Sequence, residues 1–114
     1  MTRAARLSGL DLLVRPRRVE ASLWRRLRFE GEAECRERLF NLYIRLARSI
    51  ASHNFRRRAT AHFDRSDYEQ LAYEGLLQAI DRYDPMRAVP FGAYARRRIE
   101  GNVADGIARM SLVP

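Results

Sequence analysis

Lysine is missing from this 114-residue sequence, and all 22 of its basic residues are arginine. The loss is one of chemistry more than of charge, since the chain still carries a formal +8 with a pI near 10.9. Arginine offers a planar fork that pairs bidentately with phosphate and stacks on bases, so a basic chain built from it suits nucleic acid contact. A GC-rich genome that writes arginine for lysine gives the same composition. Cysteine occurs once, at Cys35, which excludes an internal disulfide and makes a reducing compartment the simpler assumption. His53 and His62 have no partners at metal-ligand spacing, so no metal site and no cofactor are expected.

Long apolar runs are also lacking. The stretch Leu10, Leu12, Leu13, Val14 is too short and interrupted for a secretory signal, and nothing longer follows, so no membrane partner is expected and the cytoplasm is the default location. There is no internal repeat, no low-complexity tract and no strand-like alternation. No nucleophile elbow, phosphate-binding glycine loop or histidine–acid cluster appears either. A non-enzymatic role follows.

What is present is helical periodicity. The expected fold is all-α, a compact bundle of about four helices over residues 21–114, behind a flexible basic segment of residues 1–20. Ser22 is placed to cap a short helix reaching about Glu30, with Gly31 as its break. A second helix is expected from about Glu32 to Arg57, because Cys35, Leu39, Leu42, Leu46 and Ile50 step by four, three, four and four. The third has the clearest start: Ser66-Asp67-Tyr68-Glu69 fits a capping box. Behind it Tyr68, Leu71, Ala72, Gly75, Leu76, Ala79, Ile80 and Tyr83 make a wide buried face, and Asp84-Pro85 ends the helix. Pro90 suits the first turn of a fourth helix running to about Arg109, burying Phe91, Tyr94 or Ala95, Ile99, Val103 and Ile107.

Charge is uneven along this frame. Residues 64–84 hold six acids against Arg65 and Arg82, a net −4, so the rest of the chain sums to +12. Such a chain suits nucleic acid on one face and a basic protein on another, although an acidic helix is also what a solvated surface requires. On the fourth helix Arg96-Arg97-Arg98 is interleaved with Phe91, Tyr94 and Gly101. Arginine neutralises phosphate, an aromatic ring stacks on an unpaired base, and glycine admits the backbone closely.

The motifs then combine. Residues 67–83, from Asp67 through Gln70 and Gly75-Leu76 to Tyr83, resemble the core-binding helix of bacterial RNA polymerase sigma factors. The following Asp84-Pro85, the run Phe91-Gly-Ala-Tyr94-Ala95, and Arg98-Ile-Glu-Gly101 with Asp105 resemble the promoter helix of the same family, close to its flagellar class. The likeness covers about residues 22–114. It implies a factor, or its isolated second domain, that binds core RNA polymerase and recognises and helps melt the promoter minus-ten element. By resemblance Asp67, Gln70, Leu71, Tyr73, Glu74 and Leu77 would meet the clamp coiled coil of the polymerase's largest subunit. Tyr94 would stack on a base flipped from the non-template strand; Arg96, Arg97 and Arg98 would contact the strand and base edges; Gly101 and Asp105 would help approach and discriminate bases.

Glu100 brings negative charge where the family usually has a basic residue, which is expected to lower affinity for phosphate unless it pairs with Arg96 or Arg97. Arginine stands where housekeeping factors have paired tryptophans, which implies weaker strand separation and stricter promoter choice. The sequence ends at Ser111-Leu112-Val113-Pro114, which resembles the junction before the family's minus-thirty-five-reading domain. A lone domain is expected to bind polymerase yet start poorly on duplex promoters. The alternative is a truncated decoy that occupies the clamp, and an anti-sigma protein is a candidate further partner.

Overall fold

The computed structural model describes residues 18–58 and 62–112, and all their regular structure is helical. Helix α1 spans Arg18–Phe29, α2 Glu34–Arg58, α3 Arg65–Arg82 and α4 Phe91–Ser111. The two central helices are α3 and α4, packed on each other, with α2 against α3 and α1 closing one end against α2.

Helix α1 begins four residues ahead of Ser22, so Ser22 lies inside it and Arg18–Glu20 belong to the fold rather than to a flexible segment. The reason is Glu20. Its carboxylate is almost wholly buried, accepting from Trp24 Nε1 at 3.0 Å and from Tyr43 OH at 2.7 Å. One extra turn satisfies a buried indole N–H and a buried phenol at once. Residues 1–17 of the expected flexible segment lie outside the described residues. At the other end, Gly31 takes a positive φ of 69°, which only glycine adopts freely, and the chain reverses. Glu32 is not yet helical: Arg26 Nε reaches its carboxylate at 2.6 Å and closes the turn, so α2 starts at Glu34.

The buried face of α2 centres on Cys35, Leu39, Tyr43, Ala47, Ile50 and Ala51, with Leu42 and Leu46 half-buried at its margin. On α3 every residue expected inside is buried. Its cap is different from the expected one. Asp64 is the N-cap, its side chain accepting from Asp67 N at 3.1 Å while Asp67 Oδ2 accepts from Asp64 N at 2.9 Å. Ser66 donates its hydroxyl to Asp64 instead of capping. Asp and Ser are equivalent caps, so the reciprocal partner three residues on decides between them.

Pro90 is the N-cap of α4 rather than its first helical residue, and Ala95, not Tyr94, takes the fully buried position. Trp24, Tyr43, Tyr83 and Phe91 meet in one aromatic cluster with ring centroids 4.8–5.1 Å apart. Arg28 lies over the Trp24 ring and donates to the carbonyls of Ile80 and Tyr83, so α1 satisfies the free carbonyls at the end of α3. Helices α3 and α4 come close at Gly75, where a Cβ would stand 3.0 Å from Ile99 Cα and 3.1 Å from Asn102 Cβ.

Candidate nucleic-acid and protein interface

Two surfaces hold the residues singled out from the sequence, and both depend on α3. Its outward stripe carries Asp67, Gln70, Glu74 and Leu77, stepping by three and four. Gln70 and Glu74 are exposed, whereas Asp67 and Leu77 are half-buried. Tyr73 is turned toward α2, where its hydroxyl accepts from Arg48 Nε at 3.0 Å and its ring meets Phe40 edge-on. Leu71 does not join them. It is 8% exposed and packs where the missing Cβ of Gly106 leaves room, because its place on the three-four stripe of the buried face outweighs its neighbours' exposure.

The acidity of this segment has more local causes than its sequence suggests. Asp64 and Asp67 form the capping box. Asp81 receives the fork of Arg36 from α2 at 2.7 and 2.9 Å, which holds its carboxyl below the usual range. Asp84 accepts from the backbone N–H of Met86 in the turn before α4. Arg48 holds its proton more tightly than usual, first through its hydrogen bond to Tyr73 and only last through the charge of Glu69. Glu74 makes no hydrogen bond or ion pair among the described residues and is left facing solvent.

The second surface is a groove of about 510 Å³ between α3 and α4, lined by Gln78, Tyr94, Arg97, Arg98, Gly101, Asn102 and Asp105. Five of the six residues expected to meet DNA therefore converge. Tyr94 is half-buried, its ring backed by Tyr83 at 5.5 Å and Phe91 at 6.4 Å, so the aromatic cluster fixes its orientation. Arg98 donates through Nη2 to Gln78 Oε1 at 3.2 Å, while its Nε is buried without an acceptor. A buried donor left unmade costs about 1–3 kcal/mol. Asn102 Nδ2 donates to the Leu71 carbonyl at 2.7 Å and ties the groove floor to α3.

Gln78 and Asn102 were not expected from the sequence. Asn102 had a signal, since it stands four residues after Arg98 and eight after Tyr94, on the same helical face. Gln78 had none, because only the close approach at Gly75 brings it beside Arg98. Arg96 is the residue that does not converge. It lies on the other flank of α4, with Glu100 at 3.9 Å, so Glu100 is drawn away from the groove.

The family model for sigma-70 region 2 matches residues 39–111, well over half the chain and all of α3 and α4. The chain belongs to the sigma-70 region 2 family. No curated protein and no solved structure matches it. Sigma-70 region 2 is a non-enzymatic domain of transcription initiation, with a role in binding core RNA polymerase and recognising promoter DNA. The match opens inside α2, yet Leu23 and Trp24 of α1 are buried in the same core, so the folded unit reaches upstream of the matched segment. No helix among the described residues is long and apolar enough to cross a membrane.

Proposed function

We propose that this domain captures an unpaired base of the promoter minus-ten element in the α3–α4 groove while the outer stripe of α3 docks on the clamp of core polymerase. The observation that carries the reading is the convergence of Tyr94, Arg97, Arg98, Gly101 and Asp105 on one groove. Tyr94 offers a ring held by Tyr83 and Phe91, so stacking on a base costs little side-chain entropy. Arg97 and Arg98 supply positive charge for the phosphates on either side of that base. Arg98 regains its unmade Nε bond if its guanidinium turns toward an incoming acceptor. Gly101 has no neighbour within 4 Å of where a Cβ would stand, leaving room for a backbone to approach. Asp105 and Asn102 place an acceptor and an amide where base edges can be told apart. Extruding a base costs a few kcal/mol, which stacking worth about 1–3 kcal/mol and ionic contacts offset.

On the polymerase side, Gln70 and Glu74 form the exposed part of the stripe, with half-buried Asp67 and Leu77 at its two ends and Tyr73 at its α2 edge. Leu71, 8% exposed, supports this face from beneath.

Affinity for single-stranded non-template DNA, measured by anisotropy across a salt series, tests the groove. Tyr94→Ala and Arg98→Ala should each weaken binding, and unchanged affinity for both removes the assignment. Run-off transcription with purified core enzyme separates an initiator from a decoy: a chain that only inhibits other sigma factors occupies the clamp without initiating.

A further inference from the structure

Arg98 is held differently from Arg26 and Arg36, which brace the fold through carboxylates, Glu32 at 2.6 Å and Asp81 at 2.7 and 2.9 Å. Arg98 instead donates through Nη2 to the neutral side-chain amide of Gln78, at 3.2 Å across the seam between α4 and α3. A carboxylate in that place would offset the charge of Arg98, whereas an amide oxygen fixes the guanidinium and leaves its charge whole. The bond is also sparing of donors. It uses one of the five N–H groups of the guanidinium, and Nε stays buried with no acceptor among the described residues. Gln78 is half-buried on the groove wall, and Arg98 is its one hydrogen-bond partner among the described residues.

We infer that Gln78 is a positioning residue for DNA binding: it reads no base itself, but holds the Arg98 guanidinium in the groove, still charged, before the strand arrives. The inference rests on the groove reading, since it requires Arg98 to meet a phosphate. Its physical basis is entropy. An arginine side chain gives up rotamer freedom when it pairs, and one already held in place gives up less, so more of the contact remains as affinity. Gln78 could otherwise act by touching a base directly, or by competing with phosphate for Nη2. Competition is not forced by the geometry, because Nη2 carries two N–H groups and a phosphate can share that nitrogen without displacing the amide. The role also explains why a residue of α3, on the helix of the acidic stripe, lines a groove whose other walls come from α4.

The test is a double-mutant cycle on the full chain with single-stranded non-template DNA, affinity being read by anisotropy from about 50 to about 200 mM salt. Gln78→Leu keeps the bulk of the side chain and removes the acceptor. It should weaken binding by about three- to tenfold at the low-salt end. Although it removes no charge, it should also lower the slope of log affinity against log salt by up to about 0.7, the share of one phosphate contact on a single strand. Its disadvantage then shrinks by about two- to threefold across that salt range. In an Arg98→Ala background, Gln78→Leu should change neither affinity nor slope. An effect that persists without Arg98 overturns the inference in favour of direct contact between Gln78 and the strand. Tighter binding by Gln78→Leu overturns it in favour of competition for Nη2. If Arg98→Ala weakens binding and Gln78→Leu does not, the inference is overturned and the groove reading stands. If Arg98→Ala has no effect, the groove reading fails and takes the inference with it. Thermal midpoints are measured for all four proteins, and a general loss of packing would show in the Arg98→Ala background as well, so the cycle separates it from positioning.

Discussion

Two glycines facing the same helix pair should respond to alanine in opposite directions. At Gly75 a Cβ would meet Ile99 Cα at 3.0 Å, Asn102 Cβ at 3.1 Å and the Arg98 carbonyl oxygen at 3.3 Å. Two of these are backbone atoms in the middle of α4 and cannot swing aside, so α3 and α4 must part by a few tenths of an ångström. Alanine's better helix propensity returns about 1 kcal/mol, against about 1–3 kcal/mol for overpacking, so Gly75→Ala should lose up to about 2 kcal/mol. For a chain of this size that lowers the thermal midpoint by roughly 5–10 °C. At Gly101 nothing lies within 4 Å, so Gly101→Ala should gain about 0.5–1 kcal/mol from the same propensity. The functional effects then diverge from the stability effects. Gly75→Ala disturbs the Gln78–Arg98 and Asn102–Leu71 bonds that shape the groove, whereas Gly101→Ala narrows its mouth directly. Both should bind single-stranded DNA less well, one from a weaker fold and one from a stronger fold. Circular-dichroism melts and anisotropy on the same preparations read both quantities. A Gly75→Ala variant more stable than the parent, as expected of Gly101→Ala, would refute the close helix contact, and with it the reason Gln78 meets Arg98.

Leu71→Ala should cost about 2–4 kcal/mol in urea unfolding, because it opens a cavity under Gly106. Gln70→Ala, one residue away and exposed, should stay within about 0.5 kcal/mol of the parent yet reduce capture of core polymerase; equal stability losses would contradict the division between buried and docking positions. Glu20→Ala leaves the Tyr43 hydroxyl and the Trp24 N–H without their buried acceptor and should cost about 2–4 kcal/mol, whereas a loss below about 1 kcal/mol would show that α1 is not held by that carboxylate. Asp81 and Asp64 both titrate lower folded than unfolded, Asp81 through the hydrogen bond from Arg36 and Asp64 through that from Ser66. Their stabilisation is complete above the unfolded aspartate value near pH 3.9 and is lost as pH falls through the lower folded values. The urea midpoint should therefore drop between about pH 5 and pH 2, and Arg36→Gln should flatten part of that drop; an unchanged profile would detach Asp81 from Arg36.

How far the sequence carried the fold depended on whether a feature was local. The buried face of α3 was legible because eight apolar or small residues repeat at helical spacing, and packing rewards that repeat wherever the neighbours stand. The caps were less so: Asp64 and Ser66 are both good caps, and only the reciprocal bond with Asp67 separates them. Glu20 was beyond reach, since a charged residue near the start of a chain reads as solvated until Trp24 and Tyr43 are seen to enclose it. The groove divides the same way. Tyr94, Arg98, Gly101 and Asp105 share one helical face, and a helical face is a sequence property. Gln78 joins them from α3 through a tertiary contact, whereas Arg96 stands on the other flank of α4, two positions round the helix from Arg98, with Glu100 as its ion pair. Leu71 shows how to weigh such conflicts, because it belonged at once to the apolar repeat and to the docking motif, and burial prevailed. That outcome links the two surfaces. Leu71 gives its side chain to Gly106 and its carbonyl to Asn102, while Gln70 beside it faces outward and Gln78, two turns on, holds Arg98. Under the proposed docking of α3 on polymerase, a displacement of α3 would reach the groove through two hydrogen bonds and one glycine contact rather than through a flexible joint.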